Sequence, residues 1–303
     1  MGYYGYGNVG DDHCLSAAYE LVTAAFPNQR IQIAVGPIPV WNRSGSAFNR
    51  WHVGHWITVL RQSQWVVYGG GSLFQSKTGL RSLLYYLGTV VLAYGLGCRV
   101  ILLCHGWGPF KRRWHERLAR WVLQHAKCSW RTPAAAMPGD PIWCDLTLLT
   151  DLPRQPVTFP AIGVGINLRD ADQAAYLTDW CRHQGETVVQ MLNQGGASSA
   201  DTIRLADVWD QPKQRFRVIV TDRYHTAIWA IRHGMYWVGL SNDPKLVHLA
   251  EELQQPCFTT VADCRQFLSQ HTDTFESDYS AWLDHNRSYR DAVIEWLRAC
   301  KPG

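Results

Sequence analysis

Short apolar runs bounded by glycine or polar residues alternate along this chain with longer stretches in which apolar positions recur every three or four residues. The first kind predicts strands buried on both faces and the second amphipathic helices. Strands are expected at 31–35, 65–68, 99–104, 144–149, 161–166, 187–191, 218–221 and 236–240. Helices are expected at 12–25, 80–96, 112–126, 172–184, 224–233, 244–253 and 278–300. Strand and helix alternate in two successive blocks, which is the signature of parallel sheets with crossover helices. Between the blocks, residues 151–160 carry Pro153, Pro156 and Pro160 and read as a linker.

Length agrees with that division, since 303 residues suit two domains at ~100 to 200 residues each. With 47% hydrophobic, 18% charged and 12% aromatic residues, disorder, coiled coil and collagen are excluded. A net charge of +4 is too modest for a nucleic-acid-binding domain. Nine cysteines at irregular spacing, without a CxxC pair, argue against a disulfide framework or a structural zinc site. The longest apolar runs fall well short of the ~18 residues of a membrane span, and no export signal opens the chain. The expectation is a cytoplasmic protein with reduced thiols.

Four segments carry candidate chemistry. The first, Gly5-Tyr-Gly-Asn-Val-Gly-Asp-Asp12, runs from a glycine loop into a helix. Its backbone amides can meet an anion or sugar hydroxyls, while Asp11 and Asp12 can equally be helix caps. Such a turn normally follows a strand, so the native start is expected to lie upstream of Met1. The second, Tyr68-Gly-Gly-Gly-Ser-Leu-Phe-Gln75, follows an apolar strand, the place where open α/β sheets bind ligands. Arg81 beyond it can grip a carboxylate or phosphate, or stay solvated.

The third, Gly106-Trp-Gly-Pro109, follows a strand that brings His105 near its end, with a packing role the plainer reading of that histidine. Beyond it, Lys111, Arg112, Arg113, Arg117 and Arg120 interleave with Trp114, Leu118 and Trp121. This pattern reads either as a solvated face or as peripheral membrane contact through Lys111 to Arg120. Trp41, Trp51 and Trp56 can stack on sugars or simply pack, and the pair His52 and His55 lacks a third metal ligand. The fourth segment is the most specific. Thr221-Asp-Arg-Tyr-His225, then His233-Gly234 and Ser241-Asn-Asp-Pro-Lys245, place Arg223, His225 and Lys245 after successive strands and beside helix N-termini. That concentrates positive charge suited to a small, multiply charged anion.

Together these segments, with Gly69 to Tyr86, resemble the polysaccharide pyruvyl transferase family. The resemblance implies an α/β fold of two Rossmann-like domains facing a cleft, glycosyltransferase-B-like, with the C-terminal helix packing back on the first domain. The expected divisions are 1–155 on the acceptor side, 156–277 on the donor side, and 278–303 as the returning helix. It further implies transfer of pyruvate from phosphoenolpyruvate to two hydroxyls of a cell-wall or exopolysaccharide sugar, forming a ketal and releasing phosphate. Phosphoenolpyruvate is then a co-substrate, with no cofactor and no metal, and the saccharide acceptor can be carried on a lipid. Arg223 and Lys245, with Arg81 by extrapolation, are implied to bind the donor. His225 is assigned as acid or phosphate contact, and Asp11 as base or acceptor orienter. Asn8, Asp12, Gly70 and Gly71 are the remaining acceptor-side candidates. Residues 130–132, Trp-Arg-Thr, depart from an Arg-Asp pair common in the family. The alternatives are a nucleotide-sugar glycosyltransferase of the same architecture, which would want a ribose-binding glutamate where Asn242, Asp243 and Lys245 stand, and an inactive carbohydrate-binding scaffold.

Overall fold

The structure is a computed structural model that describes residues 1–37, 46–133, 136–150, 160–192, 201–271 and 277–300. The expected linker at 151–159 and Trp41 lie outside the described residues. The chain divides into two compact units, Met1–Asp151 with Asp284–Gly303, and Leu152–Leu283.

In the first unit the order is α1 (Val9–Ala25), β1 (Gln32–Val35), β2 (Ser46–Asn49), α2 (Val53–Arg61), β3 (Trp65–Gly69), α3 (Leu80–Gly95), β4 (Arg99–His105), α4 (Arg113–Leu123) and β5 (Lys127–Trp130). Strands β1 and β2 pair in parallel as one sheet, and β3, β4 and β5 form a second parallel sheet in that order. The central strand β4 is buried at every position after Arg99, as a strand covered on both faces must be. Leu83, Leu87 and Val90 of α3 pack with Val100 and Leu102 of β4 in the core, each worth roughly 1.5 to 3 kcal/mol of burial.

The second unit runs β6 (Ala161–Asn167), α5 (Ala171–His183), β7 (Val188–Leu192), β8 (Thr202–Arg204), β9 (Arg215–Thr221), α6 (Tyr224–Arg232), β10 (Trp237–Leu240), α7 (Pro244–Glu252), β11 (Cys257–Phe258) and α8 (Val261–Gln270). Its strands form one parallel sheet in the order β11-β10-β9-β6-β7-β8. Side-chain caps set the helix starts: Asp170 accepts from the amides of Asp172 and Gln173 at 3.0 Å, and Thr260 from that of Asp263 at 3.2 Å. The last helix, α9 (Ser280–Ala299), belongs to the first unit from Asp284 onward. There Trp296 meets Trp143 edge-on at 5.5 Å, and Arg298 donates to the carbonyl of Ala24 at 3.1 Å.

The segment 144–149, expected as a strand, instead contains a 3-10 turn at Leu146–Leu148. Asp145 supplies the reason, because its carboxylate accepts from Thr147 N at 3.0 Å and Thr147 Oγ1 at 2.8 Å, giving the backbone a local alternative to a ladder. Strands β2, β5, β8 and β11 and helices α2 and α8 were not expected from periodicity. The chain is thus a mixed α/β protein with parallel sheets of the Rossmann-like kind. All nine cysteines are free thiols, and among the described residues no helix is long and apolar enough to cross a membrane.

Candidate functional site

In a parallel sheet every strand ends at the same edge, so the loops that follow are gathered there. At that edge of the first unit, the loop after β3 meets the first turn of α1. Gly70 and Gly71 have φ of +69° and +75°, and a Cβ on Gly71 would lie 3.3 Å from Asp11 Oδ1. The positive φ favours glycine at both positions, and the space at Gly71 is tight. Asn8 Nδ2 donates to Asp11 Oδ2, while the Gly5 amide donates to Asp12 Oδ1 at 2.9 Å. Asn8 Oδ1 is buried with no hydrogen-bond partner among the described residues. Asn8 is the N-cap residue of α1, yet its side chain caps no amide and is turned to Asp11 instead. Burial lifts the Asp12 carboxyl to about 6, with the charge of Asp11 adding to the rise and the Gly5 N–H opposing it.

Beneath this loop lies a pair that sequence reading missed. Arg131, just after β5, forms an ion pair with Asp145, and both side chains are buried. Arg131 also donates to Ser72 Oγ at 3.0 Å, its amide bonds the His105 carbonyl at 3.2 Å, and Cys14 Sγ approaches Asp145 Oδ1 at 3.8 Å. The Gly106 amide bonds the Gly71 carbonyl at 2.7 Å, and a Cβ on Gly106 would run into Ser72 Oγ and come within 2.9 Å of Arg131 Nε. Beside the glycine loop, Tyr3 and Tyr6 stack at 4.4 Å, and Trp51, 60% exposed, donates from Nε1 to Tyr6 Oη at 2.7 Å.

In the second unit, the strands β6, β9 and β10 are neighbours, and their carboxyl ends carry the cations. Arg223 stands at the N-cap position of α6 after β9 without its side chain capping an amide, His225 sits in the first turn of that helix, and Lys245 sits in the first turn of α7 after β10. Arg169, after β6, joins them, pairing with Asp222 at 3.4 Å. Burial, then the charge of Arg169, lowers the Arg223 pKa, with Asp222 acting the other way. Burial likewise raises Asp222 despite the two arginines beside it. Asp243 spends a carboxylate oxygen on the Lys245 amide at 3.2 Å as the cap of α7.

Other candidates fall elsewhere. Arg81 is exposed on the first turn of α3 and makes no hydrogen bond or ion pair among the described residues. His105 is fully buried, with Nδ1 2.8 Å from the Gly106 carbonyl and its ring against Phe74, so it packs rather than lining an open edge. His52 caps α2, accepting from His55 N at 3.3 Å, and Trp56 is a core residue bonded to the Arg50 carbonyl at 2.8 Å. His233 contacts the Trp209 carbonyl at 2.8 Å, and burial lowers its pKa to about 4. The sequence marks Arg131 only as part of a departure from the family's pattern, and Asp145 and Arg169 stand in no periodic or glycine-marked pattern that would single them out.

No family model matches the chain, and no curated protein matches it. Among solved structures, an uncharacterized protein of Klebsiella pneumoniae subsp. pneumoniae NTUH-K2044 is similar, at 15% identity and a TM-score of 0.42 over 86% of this chain and 92% of that one.

Two predictions follow from the geometry of the first unit. Arg131→Ala strands the Asp145 carboxylate in the core and should cost about 3 to 5 kcal/mol in urea unfolding. A loss under about 1 kcal/mol would mean that the pair does not hold these loops together. Asp12 has a folded pKa of about 6 against an ordinary 3.8, so its stabilising contribution is complete below the lower value and is lost as pH rises through the higher. Asp12→Asn should therefore gain about 2 kcal/mol over the parent at pH 8, a gain that disappears by pH 4 in paired thermal melts.

Proposed function

We propose that the protein is a phosphoenolpyruvate-dependent ketal pyruvyltransferase of glycosyltransferase-B-like architecture, its first unit serving the acceptor and its second the donor. The observation that carries this reading is the gathering of Arg169, Arg223, His225 and Lys245 at the ends of three neighbouring strands. Phosphoenolpyruvate has a carboxylate at one end and a phosphate at the other, and paired cations can neutralise both. A ribose-binding transferase needs a carboxylate for the diol after β10, where Asp243 is bound to its own helix and Lys245 follows.

In this reading His225 delivers a proton to the methylene carbon, which leaves C2 electrophilic. A sugar hydroxyl adds to C2 and gives its proton to Asp11, and the C2–O bond to phosphate breaks. Fixed positive charge stabilises the departing phosphate. The second hydroxyl then adds to C2, its proton leaving with the phosphate, and the ketal closes. Asn8 Oδ1 and the amides around Gly70 and Gly71 suit the hydroxyls of the sugar, and Tyr3, Tyr6 and Trp51 offer it an aromatic face. Asp12 acts here by holding the Gly5 amide. Arg81, solvated on its helix, has the least to offer the donor.

The same reading places the work beside a membrane when the acceptor is lipid-carried. Trp114 and Trp121 on α4 are 47% and 65% exposed, and Leu84 and Val91 of the neighbouring α3 are exposed as well. Arg112, Arg113 and Arg117 surround the two tryptophans and are exposed, whereas Arg120 is paired with Glu116 at 2.9 Å. Aromatic and aliphatic groups framed by cations match the interface of an anionic bilayer.

Purified protein should release phosphate from phosphoenolpyruvate only with a suitable acceptor, sought among N-acetylmannosamine-, galactose- and glucose-bearing saccharides. Arg223→Ala and His225→Ala should each lower kcat/KM at least about a hundredfold. Binding of a nucleotide sugar, with no phosphate release from any acceptor, would replace this reading with that of a glycosyltransferase. Vesicles with a quarter phosphatidylglycerol should retain the protein in flotation, and Arg113→Glu with Arg117→Glu and Trp121→Ser should weaken retention at least about tenfold. Equal behaviour on neutral vesicles would remove the membrane from the proposal.

A further inference from the structure

The first unit's two sheets stop on either side of a cavity of about 430 Å³. Its walls are the edges of β1 and β3, together with Leu15, Ala18 and Val22 of α1 and Trp56, Val59 and Leu60 of α2. Among the described residues, each strand is paired along its length on its far side only, β1 with β2 and β3 with β4. A strand edge left against an apolar space keeps amides and carbonyls that a ladder would satisfy.

One end of this cavity is already closed by a ladder. The Met1 amine donates to the Val67 carbonyl at 2.6 Å, and the Met1 carbonyl accepts from the Gly69 amide at 3.1 Å. That is the bonding of a residue paired with Tyr68 in a parallel sheet. On the other side, the Tyr4 carbonyl accepts from the Gly36 amide at 2.8 Å, just past β1. Residues 1–4 therefore join the two sheets at the end of the cavity where the glycine loop begins. Alternation along a parallel strand aims Trp65 O and Val67 N at the cavity, since Val67 O and Gly69 N point that way. Val35 O faces β2, accepting from Arg50 N at 3.0 Å, so Ala34 turns its N–H and C=O towards the cavity.

We infer that the cavity is the seat of a parallel β-strand of about four apolar residues that continues the backbone N-terminally from Met1, joining β2, β1, β3, β4 and β5 into one sheet. The register is fixed: the residues before Met1 lie opposite Val67, Val66, Trp65 and Gln64 in turn. Apolar side chains suit the positions that face Leu15, Ala18 and Val22 of α1 and Trp56, Val59 and Leu60 of α2, while Gln62, Ser63 and Gln64 line the far end.

The test compares three chains: the present one, one with Val-Leu-Ile-Val fused directly ahead of Met1, and one with Gly-Ser-Gly-Ser there instead. Both extensions remove the buried amine, but only the first can fill the cavity. The apolar extension should raise Tm by at least about 5 °C over both other chains and slow hydrogen exchange at Ala34 N and Val67 N. Equal Tm for the two extensions, or unchanged exchange at those amides, overturns the inference. Should the apolar extension fail to fold, the intact mass of the natural polypeptide decides. A mass that includes an apolar segment ahead of Met1 supports the strand, and a natural chain beginning at Met1 refutes it.

Discussion

The buried pair of Arg131 and Asp145 is the constraint around which the first unit's site is arranged. Two charges taken from water are costly, and their mutual attraction repays this only when the remaining hydrogen-bonding groups are also met. Asp145 meets the condition through Thr147 N and Oγ1 as well as Arg131, and Arg131 adds a bond to Ser72 Oγ while its buried Nε finds no hydrogen-bond acceptor among the described residues. The result is that the end of β5, the loop after β3 and the turn at Leu146–Leu148 are held to one another. Such a pair adds little net stability against an apolar replacement, but it fixes position. Glycine at 106 follows from that crowding, because a Cβ there would strike Ser72, while at 70 and 71 it follows from the positive φ in a tight space beside Cys14 and Asp11.

Parallel topology accounts for the different chemistry of the two units. Each sheet directs its loops to the carboxyl edge, so the residue types in those loops decide what the edge can bind. In the first unit they are Asn8, Asp11 and Asp12 beside Tyr3, Tyr6 and Trp51, hydrogen-bonding groups next to an aromatic face. In the second they are Arg169, Arg223, His225 and Lys245, with Asp222 offsetting part of the charge. The lowered pKa of Arg223 comes first from burial and then from the charge of Arg169 beside it. An anion of more than one charge offsets that charge, whereas a neutral diol does not.

Much of this was legible in the sequence because it rests on local signals. The continuous apolar run of β4, the glycines after β3 and the Asp-Arg-Tyr-His turn after β9 each mark an element by composition alone. What escaped was set by distant partners or by short length. β2 is a four-residue edge strand with little burial, and β11 has two residues, so neither leaves a period to read. The 144–149 segment looked like a strand because Leu146, Leu148 and Leu149 are apolar, yet one carboxylate turned it into a 3-10 bend. Arg131 and Asp145 stand fourteen positions apart with no motif between them, and Arg169 follows a strand without glycine or histidine to flag it.

The cavity beside β1 and the site at the end of β3 are mechanically one matter. Residues 1–4 carry the bonds between the sheets and lead directly into Gly5, whose amide holds Asp12, and Asn8, which holds Asp11. A loop is positioned only as well as the elements on either side of it. Here one side is α1, seventeen residues long and packed through Leu15 and Leu21, and the other is a short stretch tied by a few bonds. A strand buried between β1 and β3 would anchor that stretch with ladder bonds on both edges and apolar packing on both faces. Because opening free energy varies along a chain with burial and hydrogen bonding, the same strand would raise the opening cost of the glycine loop. The geometry of Asn8 and Asp11 is therefore a property of the sheet as much as of the loop that displays them.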